Sequence, residues 1–116
     1  IDAGRYRVAL ELYQSVLRHQ PAQVDAMFGA ALALNELRDL KGSGVYLNRT
    51  LALRPGHPSA NILAGFNDQL RRRYAGARAH YSRFLSVEES GDRADEIRAV
   101  LGSLTAPGGG TVTGAR

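Results

Sequence analysis

Three His, one carboxylate pair, one Gly-rich run and one basic run are the residues of this chain whose types could do chemistry. His19, His57 and His80 could ligate a metal or move a proton. None has a Cys, Asp, Glu or second His at metal-ligand spacing on the same helical face. His19 falls at a helix end, where a cation complements the dipole, and His57 precedes Pro58 at a helix start. Glu88-Glu89 could act as an acid/base dyad, but at a helix end the pair reads as a solvated turn. "KGSG" (Lys41 to Gly44) could offer backbone amides to a phosphate. It lacks the Gly-x-x-x-x-Gly-Lys-Ser/Thr spacing and lies within a helical stretch, not after a strand. Nothing places Ser, His and Asp around a strained nucleophile turn. With no Cys there is neither thiolate chemistry nor a disulfide framework, so either redox compartment suits the chain. No catalytic residue, metal site or cofactor is assigned, and the expectation is a non-enzymatic protein.

The basic run is "RRRY". Arg71, Arg72 and Arg73 could contact an anion or a nucleic acid, with Tyr74 available for stacking. Against that, one short run is far from the basic stripe that nucleic-acid binding needs. The favoured reading puts Tyr74 in the core and the three Arg around an exposed turn, so nucleic acid is not the expected partner. The formal charge of +4 comes from 15 Lys+Arg against 11 Asp+Glu, and Lys41 is the only Lys. That skew toward Arg, beside abundant Ala and Gly, is read as GC-rich coding.

At 116 residues, 44% hydrophobic and 22% charged, the chain can fold as one domain with a modest core. No apolar run approaches the roughly 18–20 residues of a membrane-spanning helix, and "IDAGRYR" lacks the apolar stretch of a signal peptide.

The elements that organise these residues emerge from an internal period. Tyr6, Leu40 and Tyr74 are large and apolar; Ala9, Ser43 and Ala77 are small. Tyr13, Leu47 and Tyr81 are large again, and Leu17, Leu51 and Leu85 are identical. Pro21 matches Pro55, with Glu89 in the third place. Every comparison is at an interval of 34 residues, without a slip. Within each unit the apolar residues step by three and four, as on one face of an amphipathic helix. Two further helical stretches, Ala22 to Leu37 and Pro58 to Arg71, carry clustered small residues: Ala30, Ala31 and Ala33, then Ala64 and Gly65. Pro21 and Pro58 suit first-turn positions, and Pro55 should stop the helix that reaches Leu53. The pattern is helix–turn–helix, repeated.

These residues resemble the tetratricopeptide repeat family. The match runs through Gly4-Arg-Tyr6-x-x-Ala9, Tyr13, Val16-Leu17 and Pro21, then Ala30-Ala31, Leu40, Ser43, Leu47, Thr50-Leu51 and Pro55, then Ala64-Gly65, Tyr74, Ala77, Tyr81 and Phe84-Leu85. It covers residues 4 to 89. The resemblance implies an all-α fold, a right-handed superhelix (α-solenoid) of antiparallel helix pairs. There are departures. Arg38 and Arg72 replace the family's turn Gly, so those turns should adopt a conformation open to Arg. The bulky aromatic expected early in the first helix is Met27 in one copy and Asn61 in the other, and Asn61 should either face water or mark thin packing.

The organisation expected is a helical domain over 1–104, with a partial repeat at 1–21, repeats at 22–55 and 56–89, and a capping helix at 90–104. Asp92 or Ser90 should cap that helix, Ala94, Ile97, Val100, Leu101 and Leu104 form its inner face, and Asp92, Arg93, Asp95, Glu96 and Arg98 its outer face. Residues 105–116, with three consecutive Gly, read as a flexible tail. The opening helix lacks its pair partner, leaving a flank of Tyr6, Leu10, Tyr13 and Leu17 that could support homo-oligomerisation.

In the resembled family the first helices line a concave groove that holds a partner segment. Carried onto this chain, the inward positions are Asp25, Phe28, Gly29, Leu32, Asn35 and Glu36, then Ser59, Ile62, Leu63, Phe66 and Gln69. Members that grip a C-terminal carboxylate carry Lys, Arg and Asn there; this chain is mostly apolar instead. The expected function is therefore a protein–protein interaction scaffold. Its groove, centred on Phe28, Leu32, Asn35, Ile62, Leu63, Phe66 and Gln69, suits an amphipathic helix or an apolar extended peptide. The alternatives are anion binding at Arg71 to Arg73, or a purely structural segment of a larger protein.

Overall fold

The computed structural model describes residues 2–105, and the tail expected at 105–116 lies outside them from residue 106 onward. Six helices follow one another: α1 (Ala3–His19), α2 (Val24–Glu36), α3 (Leu40–Leu53), α4 (Pro58–Leu70), α5 (Tyr74–Val87) and α6 (Asp92–Thr105). Among the described residues there is no strand. Connections of three or four residues force sequential helices to lie side by side and antiparallel. The stack is elongated, 50 × 27 × 23 Å. Starts at 24, 58 and 92, and at 40 and 74, carry the 34-residue interval into three dimensions.

The small residues do what close helix packing requires. Ala30, Ala31 and Ala60 are fully buried, and Ser43 donates its hydroxyl to the Ala31 carbonyl at 2.8 Å. One core layer joins Ala31, Leu47, Leu51, Ala60, Leu63 and Ala64, and a second joins Ala77, Tyr81, Phe84, Ala94, Ile97 and Leu104. A third, smaller layer of Leu17, Ala26 and Met27 ties α1 to α2. Of the flank expected to be partly uncovered on α1, Leu17 is covered, Tyr6 and Leu10 are half-buried and Tyr13 is exposed. Tyr13 lies over Gly29 with part of its ring still exposed, and Val8, Leu12 and Val16 are exposed beside it.

Helix starts are capped in sequence-legible ways. Asp2 accepts from the Arg5 amide, Gln23 from Ala26, Asp39 from Gly42, and His57 Nδ1 from Ala60 with Pro58 as first helical residue. Pro21, in contrast, sits in the turn ahead of α2 rather than in its first turn. α6 begins at Asp92, and the Gly91 carbonyl accepts from Asp95, so the cap position belongs to Gly91 (φ 109°) and to neither Ser90 nor Asp92. α5 is the exception: its cap residue, Arg73, makes no side-chain bond.

The two turns inside the helix pairs correct the expectation for Arg. Arg38 and Arg72 adopt left-handed φ values of 66° and 61°. Each closes a Schellman motif, with Asp39 N–H on Leu34 O (2.9 Å) and Arg38 N–H on Asn35 O, repeated by Arg73 on Asp68 (2.7 Å) and Arg72 on Gln69. The turn kept the geometry that favours Gly, and Arg was bent to fit it. Four carbonyls are satisfied this way, which outweighs the strain of the left-handed residue. Arg38→Gly and Arg72→Gly should therefore each stabilise the fold by about 1 kcal/mol, the strain relieved less the entropy of Gly. Thermal melts of the two variants would check this, with midpoints a few degrees above wild type expected.

Asn61 is also corrected. It is fully buried, and its Nδ2 donates to Pro55 O (2.9 Å) and His57 O (3.0 Å), while Oδ1 has no partner. The amide takes the place of bulk: it pins the 54–57 turn onto α4.

Candidate partner-binding groove

α2, α4 and α6 lie in order along one side of the stack, and α2 also touches α4 directly. Their facing side chains bound a groove of about 1070 Å³. That is at the upper end of the ~300–1,000 Å³ usual for ligand pockets, and the groove is open along its length. Phe28, Leu32, Asn35, Ile62, Leu63, Phe66 and Gln69 all line it, with Glu36 and Ser59. Asp25 and Gly29 do not. Asp25 is exposed elsewhere, and Gly29 is buried against α1, where a Cβ would stand 2.3 Å from the Tyr13 ring.

The apolar wall is graded. Leu32 is 43% exposed and Phe66 42%, whereas Leu63 is buried in the core layer below. Phe28 is half-buried against that layer, its ring 5.0 Å from the His57 ring. Ile62 packs on the second layer. So Leu32 and Phe66 are the residues that offer apolar area without being needed inside.

α6 contributes Arg93, Glu96, Ile97, Ala99 and Val100 to the same groove. Arg93 and Glu96 therefore face the concave side, not the outer face expected from sequence. The signal was present in the period. Adding 34 to Leu32 gives Phe66 and then Val100; adding it to Phe28 gives Ile62 and then Glu96. α6 occupies the place of a third first-helix, and the groove has three rungs.

The polar groups divide into engaged and free. Tyr81, reaching in from α5, donates its hydroxyl to Gln69 Oε1. Burial, with the negative charge of Asp68, pushes the Tyr81 phenol up to about 12, so it stays a donor at neutral pH. Gln69 is thus committed to its neighbour. Arg93 donates twice to Glu88, at 2.7 and 3.1 Å, and lies 5.3 Å over the Phe84 ring. That hydrogen-bonded Arg holds the Glu88 carboxyl below the usual carboxylate range. Glu36 and Glu96 have no ion-pair partner among the described residues. Asn35 is 8% exposed and its Oδ1 is buried without a hydrogen bond. An unmet buried acceptor costs about 1–3 kcal/mol. The groove of this basic chain is therefore acidic at its edges, with an unsatisfied amide in its wall.

The Arg run separates. Arg71 and Arg73 line a small cleft on another part of the surface, with Lys41, Asn48 and His80, and Arg72 does not. Tyr74 packs on the second core layer, as expected. No three of the His, Asp and Glu side chains among the described residues come together as a metal site, and no helix there is long and apolar enough to cross a membrane.

Comparison with known proteins gives one family and no curated relative. The family model described as tetratricopeptide repeat matches residues 1–58, which takes in α1, α2, α3 and the first residue of α4. No match is found among curated proteins. Tetratricopeptide repeats are in general protein–protein interaction modules. With half of its length matched and the same interval running on through α6, this chain belongs to the tetratricopeptide repeat family.

Proposed function

We propose that the groove receives an amphipathic helix of a protein partner. The helix lays its apolar face on Leu32, Ile62, Phe66 and Val100 and sets Lys or Arg beside Glu36 and Glu96. The observation that carries this reading is the pair of exposed rungs, Leu32 and Phe66, flanked by carboxylates that no described residue neutralises. Apolar anchors in a concave seat supply affinity, and the rim charges select the partner and its register. A helix presents such anchors at i, i+3, i+4 and i+7, which lets one face meet successive rungs.

The test uses a designed amphipathic peptide with Leu at those spacings and Lys on both flanks, beside a twin with Glu on the flanks. Wild type should prefer the Lys-flanked peptide, and Glu36→Lys/Glu96→Lys should reverse the order. Each exposed pair is worth up to ~1 kcal/mol, so a swing of about tenfold between the two peptides is expected in a fluorescence-anisotropy titration. Equal affinity of wild type for both peptides would remove the charge argument. Binding of neither would remove the helix.

A further inference from the structure

A cleft of about 150 Å³ opens between α3, the end of α4 and the start of α5, and no residue lines both it and the groove. Three cations face it: Lys41, Arg71 and Arg73, with the Asn48 amide beside them. Among the described residues no carboxylate stands within ion-pair distance of any of the three. Asp68 is the one acid in the wall, against the three cations. It holds His80 Nδ1 at 3.0 Å and lies against Gly76 in the first turn of α5, where the helix dipole favours an anion. Arg71 reaches over α3 at Gly44, where a Cβ would stand 3.3 Å from its Nη1, a tight contact.

The repeat supplies an internal control. Positions 34 apart meet the same packing demands, yet Arg71 and Arg73 correspond to Leu37 and Asp39. In the first copy Asp39 caps α3; in the second Arg73 leaves α5 without a side-chain cap. Packing and capping therefore do not ask for these guanidinium groups. They gather at one of two equivalent turns, around an opening.

We infer that this cleft binds a phosphoryl dianion. Planar guanidinium forks from Arg71 and Arg73 grip its oxygens, Lys41 adds a point charge, and the Asn48 amide donates. The cleft is well above the space one water needs and well below the ~300 Å³ of the smallest organic-ligand sites, so it takes a tetrahedral oxyanion rather than a nucleotide. Inorganic phosphate and a phosphate monoester on a partner's side chain share that chemistry.

The test follows backbone amides by NMR as the full chain is titrated, at fixed ionic strength, with inorganic phosphate, a short phosphoserine peptide and its unphosphorylated twin. Saturable shifts at Lys41, Gly44, Asn48 and Arg71 are expected. Tighter binding of the phosphopeptide assigns the group to a partner, and equal or tighter binding of phosphate assigns it to the free ion. Arg73→Ser restores a cap residue, so the thermal midpoint should hold or rise while phosphate affinity falls about tenfold. Lys41→Ala, at an exposed position, should weaken binding several-fold, and Arg72→Gly should leave it unchanged. Shifts that never saturate and spread over every Arg, or undiminished binding by Arg73→Ser or Lys41→Ala, would overturn the site.

Discussion

Gly65→Ala should lower stability by about 3 kcal/mol, and adding Tyr81→Leu to the same chain should lower it no further but recover about 1 kcal/mol. A Cβ on residue 65 would stand 2.4 Å from Tyr81 Cε1 and 2.7 Å from Cδ1 and Cζ. The ring has nowhere to go. Tyr81 is 3% exposed and its hydroxyl is committed to Gln69, so relief of the clash also breaks that hydrogen bond. The equivalent pair one interval earlier shows the remedy. Ala31 and Leu47 occupy the corresponding positions and are 0% and 1% exposed, packed together in one core layer. Tyr81→Leu alone should cost about 2 kcal/mol for the space it leaves. The double variant should cost about 2 kcal/mol as well, rather than the 5 that independent effects would give. Denaturant titrations of the three variants measure the coupling. Gly29→Ala makes a useful contrast: its Cβ would meet Tyr13, but that ring is 36% exposed and can swing outward, so the loss should stay under about 1 kcal/mol.

Those paired positions also explain how much of the molecule could be read from its residues. Helix spans, the core identities of Leu47, Tyr81 and Phe84, and the inner face of α6 follow from periodicity, because burial is what periodicity records. Turn geometry did not follow. The left-handed Arg38 and Arg72 are imposed by the Schellman bonds of the neighbouring chain, against the preference of the residue itself. Asn61 departs from its sequence pattern for a related reason: its role rests on two carbonyls in the preceding turn, which no spacing rule reveals. All seven groove candidates line one surface, but its third wall was missed. Arg93 and Glu96 are charged, and a charged residue on a terminal helix reads as solvent-facing unless the 34-residue interval is carried one step further. Departures fall on both sides of residue 58, where the family match stops: Met27 and Arg38 before it, Asn61, Arg72 and Glu89 after it.

Leu32→Asp/Phe66→Asp should abolish binding of the Lys-flanked amphipathic peptide while leaving the fold intact. Both side chains are more than 40% exposed, and surface substitutions of that kind usually shift stability by less than about 0.5 kcal/mol. Each is a central anchor of the groove, and anchors of this type cost about 2 kcal/mol or more when lost, so the pair should weaken binding by at least roughly 100-fold. Phe28→Asp would be the wrong variant, because Phe28 packs on the core layer of Leu47 and Leu63 and its loss would unfold the repeat. The most direct measurement is a calorimetric titration of that peptide into wild type and into Leu32→Asp/Phe66→Asp, with circular dichroism on both proteins. The account predicts saturable binding to wild type and none to an equally helical variant. Equal binding by the two would place the partner somewhere other than the groove.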